Sequence, residues 1–382
     1  MTTDLIQRLD ALDPRAVASL FGRSILTTAA ASDLELQGLL RLAEAFAALD
    51  HSGVRTPLFP QELAYAVFFD NSTRTKSAWA GAAARLGMTP VIVDGGSTQV
   101  AHGETAQETG AMLGMNAHAL GIRHDLILGE GNAFMQEVKR GIDGFLDATG
   151  DKRHVPIVNL QCDVDHPTQS LADLLTLRQR FPGGLAGKKI TVSWAYSPSY
   201  AKPLSVPQGL ISLVTRFGAH VTLAHPKGYQ LLDAPVEQAF RFADASGGSF
   251  RVVHDMDQAF DGAHVVYPKS WGPYDLMMDR VQANRAGDRA AMSDIERQAL
   301  ERNALHTDWI CDEARMARTE GGKATYMHCL PADIGAEVSA GVLERFRHDL
   351  ARQASWKVYV IMAMLAGAKI STLPARLRTL VA

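Results

Sequence analysis

Cysteine is scarce in this chain. Cys162, Cys311 and Cys329 are an odd number spread over 382 residues with no close pair. That excludes a disulfide framework and leads us to expect a reduced, cytoplasmic protein. Cys162 and His166 stand four apart, but no second pair with ligand spacing joins them, so no metal is expected. Long apolar runs are lacking too. The longest, Val358 to Ala368, is well short of the ~20 residues a membrane span needs. Met1 to Asp13 includes Asp4, Arg8, Asp10 and Asp13, so no signal peptide is expected there. There is no basic block and the net charge is only −3, which argues against nucleic acid as a partner. Two nucleotide fingerprints are missing. No Gly-x-x-x-x-Gly-Lys-Ser/Thr loop occurs, and Tyr196-Ser197-Pro198-Ser199 follows an apolar stretch where a dinucleotide fold would place Gly-x-Gly-x-x-Gly. No organic cofactor is expected.

What is present is regular. Hydrophobic content of 47% with 21% charged residues is that of a globular chain, and the length suits two domains. Ser32 to Asp50 repeats Leu34, Leu36, Leu39, Leu40, Leu42, Ala43 and Phe46 at helical spacing after a capping serine. Strands are expected at Tyr65–Phe69, Thr89–Val93, Ala117–Ile122 and Val155–Leu160, with helices at Lys76–Leu86, Glu104–Met115 and Ala133–Ala148. Asp94 to Gly103 is polar, rich in glycine and aperiodic, which predicts a mobile loop. A helix over Pro167–Arg180 follows, with proline in its first turn. The alternation then restarts, with strands at Ile190–Ala195, His220–Ala224, Phe250–His254, Ala263–Tyr267 and Thr325–Met327, a helix at Gln208–Phe217 and a closing helix at Arg347–Lys369. Such alternation predicts an α/β protein of two doubly wound parallel-sheet domains. We place them at 1–164 and 165–346, with 347–382 returning to the first domain.

Polar clusters fall at the expected strand ends, where open parallel sheets bind ligands. After Phe68-Phe69 comes Asp70-Asn71-Ser72-Thr73-Arg74-Thr75, a turn into a helix. A helix start offers unpaired N–H groups and positive dipole charge, and an arginine fork added there suits a phosphate. An ordinary serine cap beside a surface arginine fits the same octet. The others are Arg123, His166-Pro167-Thr168-Gln169 and His328-Cys329-Leu330-Pro331. Cys329 could suggest a thiol nucleophile, but adjacent residues in an extended segment face opposite ways, which makes His328 a poor base for it.

In this order, Ser-Thr-Arg-Thr, Gly103-Glu104-Thr105, Ile122-Arg123, His-Pro-Thr-Gln and His-Cys-Leu-Pro resemble the aspartate/ornithine carbamoyltransferase family over about Phe68 to Lys357. The resemblance implies two domains around a cleft, one for carbamoyl phosphate and one for an amino substrate. Ser72, Thr73, Arg74 and Thr75 would then hold the phosphate, while Arg123, His166 and Thr75 would donate to the carbonyl oxygen. Gln169 and the carbonyls of Cys329 and Leu330 would accept from the carbamoyl NH2, and Arg352 would reach the same ligand. The family assembles as homotrimers, and Gln99 stands where a neighbouring subunit completes each site. A carbamoyl phosphate-binding regulatory homologue is the rival reading.

The second domain departs from the ornithine enzymes. Their Asn-Asn motif is replaced by Ser197 to Pro207, and their Ser-Met-Gly loop by Tyr267-Pro268-Lys269-Ser270-Trp271-Gly272-Pro273-Tyr274. Plain ornithine is therefore disfavoured as acceptor, and a different amino-acid-like molecule is expected. The proline-rich loop is similar to that of the knotted transcarbamylases, which implies a trefoil knot with the segment around Trp271 threading it. The phrase Lys269 to Tyr274, with Ala354-Ser355-Trp356-Lys357, most resembles the YgeW-like branch. Lys202 and Lys269 are candidates for a carboxylate on the second substrate, or else are solvated surface lysines. Trp271 stands beside them as a candidate, although it reads more as packing than as recognition.

Overall fold

The computed structural model describes residues 3–381, and every strand pairing among them, isolated bridges included, is parallel. Met1, Thr2 and Ala382, the outermost positions of the expected first and third domains, lie outside the described residues. The chain divides into two compact units. One comprises 1–125, 130–172 and 355–382, and the other 126–129 and 173–354. The expected boundary at 164/165 falls in the turn before the helix Pro167–Arg180, whereas the units divide inside that helix. The chain rejoins the first unit at Ser355, eight residues later than expected, again inside one helix.

In the first unit, β1 (Leu63–Phe68), β2 (Thr89–Asp94), β3 (Ala119–His124) and β4 (Ile157–Cys162) form a sheet in the order β2-β1-β3-β4. Its core is built by pattern. The helix Gly131–Thr149 presents Met135, Val138, Ile142 and Leu146 on one face, against Leu120 and Ile122 of β3 and Ile157 of β4. The helix Ala106–Gly114 approaches it closely because glycines stand at the contact. A Cβ on Gly110 would lie 2.2 Å from the Val138 carbonyl oxygen, and one on Gly141 2.0 Å from that of Gln107.

In the second unit, β5 (Lys189–Trp194), β6 (His220–Ala224), β7 (Ser249–Val253), β8 (Val265–Lys269) and β9 (Thr325–Tyr326) are ordered β7-β6-β5-β8-β9. Each sheet thus reverses direction once, between β1 and β3 and between β5 and β8. Ligand crevices of open α/β sheets lie at such switch points, beyond the carboxyl ends of the strands.

Two expectations need correction. Asp94 to Gly103 is not irregular but forms two short 3-10 turns, Gly95–Ser97 and Gln99–His102. The hydrogen bonds that organise them are local: Gly96 N to Asp94 Oδ1, Ser97 Oγ to the Asp94 carbonyl and Thr98 Oγ1 to that of Gly95. The closing helix runs from Ala340, not Arg347, to Lys369, because the Ser339 hydroxyl caps it by accepting from Val342 N. A further helix, Leu373–Thr379, follows.

Candidate active site

Register places the first cluster. Phe68 pairs with both Asp94 and Arg123, and Arg123 and His124 pair with Gln161 and Cys162, so the four strands finish at one edge of the sheet. On the β1 side of the switch point, four residues separate the strand end from the helix Thr73–Arg85. Ser72 caps it, accepting from Thr75 N at 3.2 Å, and its first turn contains no acidic residue. Its positive end is therefore left for an anion. Thr73 is exposed, Arg74 half-buried and Thr75 buried. On the β3 side stands Arg123, 9% exposed. Its Nε and Nη2 donate to Asp125 Oδ1 and Oδ2 at 3.1 Å each, and Nη2 also reaches Asp70 Oδ2 at 3.4 Å. The arginine thus links the strand end to the turn that leads into the anion seat.

Beyond β4, His166 is buried and its Nδ1 meets Thr168 Oγ1 at 3.2 Å. Its turn is buttressed by Asp165, which accepts from Thr28 N at 2.6 Å, Thr28 Oγ1 at 2.8 Å and Ser170 Oγ at 3.3 Å. Burial pushes the Asp165 carboxyl up in spite of these donors. Gln169 is buried within the first turn of the helix. Where β3 and β4 slip register, the buried Asn159 side chain compensates, accepting from Gln161 N at 2.9 Å and donating to the Leu26 carbonyl at 2.6 Å. Cys162 is structural: Sγ accepts from Asn159 Nδ2 at 3.2 Å and Asp165 N at 3.3 Å. Burial, with Asp163 nearby, pushes its thiol up to about 12. Gln99 opens a 3-10 turn after β2, the edge strand, and is exposed.

The second unit holds a polar network at its own switch point. Glu337 is fully buried. Its Oε2 accepts from Lys202 Nζ and Asp333 N at 2.9 Å each, and its Oε1 from Ser270 N at 2.7 Å. Lys202 also donates to Asp333 Oδ2 at 2.8 Å, and Ser197 and Ser199 hydroxyls bond the same oxygen. Burial works against the Lys202 charge, but Glu337 and Asp333 outweigh it and raise its pKa. Burial likewise opposes ionisation of Glu337, yet His328 and Lys202 hold its carboxyl well below the usual range. Burial lowers the His328 pKa, although Glu337 opposes it. Its Nδ1 accepts from Leu330 N at 2.8 Å, which leaves the ring proton on Nε2, facing Glu337 Oε2 at 3.5 Å. The His-Cys-Leu-Pro turn is thereby folded back on its own histidine, and His328 has no geometry for activating Cys329.

These contacts correct the solvated-lysine alternative. Lys202 and Lys269 are buried, not solvated. The Lys202 charge already has two carboxylate partners, and Lys269 Nζ donates to the carbonyls of Pro203 at 3.0 Å and Ser270 at 2.7 Å. Trp271 is 0% exposed; Nε1 donates to the Tyr229 carbonyl, while Trp194 Nε1 donates to the Trp271 carbonyl. It is packing. Arg352 lies on the closing helix with a largely exposed side chain, 3.0 Å from Asp349. Sequence reasoning missed Asp125, Asp165, Asn159, Asp333 and Glu337. Only the i, i+4 spacing of Asp333 and Glu337 was a signal, and a weak one.

Comparison with known proteins defines the class. Residues 23–179 match the carbamoyl-P binding domain of aspartate/ornithine carbamoyltransferases, and residues 203–367 match their Asp/Orn binding domain. The chain belongs to the aspartate/ornithine carbamoyltransferase family, a family of enzymes. Within it, the chain is 49% identical over 344 residues to YgeW of Escherichia coli (strain K12), whose name assigns it provisionally to the carbamoyltransferases. That match covers 88% of this chain and 87% of the other. It is 30% identical over 351 residues to the ornithine carbamoyltransferase of Parasynechococcus marenigrum (strain WH8102), covering 92% and 95%. A variant of N-acetyl-L-ornithine transcarbamylase, solved with carbamyl phosphate and N-succinyl-L-norvaline, superposes with a TM-score of 0.74 at 25% identity over 91% of this chain and 100% of that one.

Proposed function

We propose that this protein transfers the carbamoyl group of carbamoyl phosphate to the nitrogen of an amino-acid-like acceptor other than plain ornithine, or runs the reverse phosphorolysis. The observation that carries this reading is the pairing, across one switch point, of an acid-free, serine-capped helix start with a clamped arginine. Ser72, Thr73, Arg74 and Thr75 hold the phosphate. Arg123 and His166, with Thr75, donate to the carbonyl oxygen, which gains charge as the amine attacks. Such preorganised donors are usually the largest catalytic term. The new C–N bond forms, the C–O bond to phosphate breaks, and the departing phosphate accepts the amine proton. Gln169 and the carbonyls of Cys329 and Leu330 take the carbamoyl NH2, and Arg352 adds to the phosphate contacts. The enzyme works in the cytoplasm as a homotrimer, with Gln99 completing a neighbour's site. Its second unit carries a trefoil knot in which the Trp271 segment threads the proline-rich loop.

The test is phosphate release from carbamoyl phosphate with a panel of amino acids and their N-acyl forms. Stimulation by one acceptor is the expected result. Binding without turnover across the panel would refute transfer.

A further inference from the structure

By charge alone, Arg123 could anchor a phosphate as readily as polarise a carbonyl. Its neighbours decide between the two. Asp125 has a side chain that is 0% exposed and closes a two-point fork on Nε and Nη2, at 3.1 Å each. Those two nitrogens share one edge of the guanidinium, so the fork fixes the plane of the group and the direction of Nη1 on the opposite edge. The fork also cancels the charge. An Arg–Asp pair has little net attraction for a phosphate dianion, yet its outward N–H still donates along a fixed line. Donation to a neutral carbonyl oxygen strengthens as that oxygen becomes negative, whereas attraction for phosphate is present before reaction begins. Asp70, at 3.4 Å from Nη2, makes the surroundings more acidic still. No such carboxylate stands in the first turn of the helix that carries Arg74.

We propose that Asp125 is a positioning residue: it neutralises and aims Arg123, so that Arg123 serves the carbonyl oxygen while the phosphate is left to Arg74 and the helix start. The proposal rests on the reading above that the first unit binds carbamoyl phosphate. It requires no step at Asp125 itself, which stays bonded to Arg123 throughout.

The test uses the full chain, carbamoyl phosphate labelled at its carbonyl carbon, and two readouts. Carbon NMR reads the polarisation of the bound carbonyl, and calorimetry reads affinity. In the unaltered protein the bound carbonyl resonance should move downfield of its free position. In Asp125→Asn that displacement should be lost, while affinity for carbamoyl phosphate is unchanged or tighter. An Asp125→Asn protein that keeps the displacement overturns the proposal. So does one that loses displacement and affinity together, the mark of a general collapse of the site. Should Asp125→Asn not fold, Asp125→Glu retains the charge on a longer arm and is judged by the same two readouts. Failure of the unaltered protein to bind carbamoyl phosphate would overturn the underlying reading itself, an outcome distinct from the others.

Discussion

Removing the Glu337 carboxylate is the most informative perturbation of the second unit. Four groups converge on it: Lys202 Nζ, Asp333 N, Ser270 N and, at 3.5 Å, His328 Nε2. Glu337→Ala leaves the Ser270 and Asp333 amides without their acceptor, at ~1–3 kcal/mol for each donor that water cannot reach. It also cuts a buried ion pair, a loss usually of ~3–5 kcal/mol. These figures describe the same carboxylate and do not add. Because Asp333 still partners Lys202, we expect a total of about 3–5 kcal/mol and not more. The assay is urea unfolding followed by tryptophan fluorescence, since Trp194 and Trp271 are fully buried in this unit. Glu337→Gln, which keeps the volume, should fall between the unaltered protein and Glu337→Ala. A loss below about 1 kcal/mol in Glu337→Ala would refute the reasoning, since that is the range of an exposed pair. The pH dependence has a definite sign. The folded carboxyl lies below its usual 4.5, so its contribution is fully present above the unfolded value and disappears as pH falls toward the folded one. Glu337→Gln should therefore remove part of the stability difference between neutral pH and mildly acid solution.

Two further predictions concern single side chains. Arg123→Ala should lower turnover more than it weakens carbamoyl phosphate binding, since its partner charge grows only on the way to the tetrahedral state; steady-state kinetics beside calorimetry read the split, and equal losses would make it a mere anchor. Alkylation at mildly alkaline pH, mapped by mass spectrometry on the folded protein, should label Cys329 before Cys162 and Cys311. Cys329 is partly exposed, whereas the other two are buried with thiols pushed far up. Prompt labelling of Cys162 would contradict its place in the core.

Much of this architecture was legible because its causes are local. Ser72 could be read as a helix cap because a cap needs only a serine before a periodic run, and the hydrogen bond to Thr75 N bears that out. The helix Pro167–Arg180 has the bounds that its proline and periodicity predict. His220–Ala224 matches as well, and the other strands shift by at most two residues at an end. What failed was long-range. Lys202 could be read as a surface lysine because the partners that bury it, Asp333 and Glu337, lie 131 and 135 residues away. No window on the chain contains both. Asp125 escaped notice for the opposite reason: it stands beside Arg123, but an i, i+2 fork forms only where the strand ends and the chain folds back. The early start of the closing helix turned on one hydroxyl, Ser339, ahead of a stretch with little apolar periodicity.

The claim on which the rest depends is that the start of the helix Thr73–Arg85 is the phosphate seat. Calorimetric titration of carbamoyl phosphate into the unaltered chain and into Arg74→Ala tests it most directly. A charge-assisted arginine contact of ~1.5–3 kcal/mol predicts roughly 10–100-fold weaker binding in the variant, with its unfolding curve unchanged. Equal affinity in the two proteins would contradict the account.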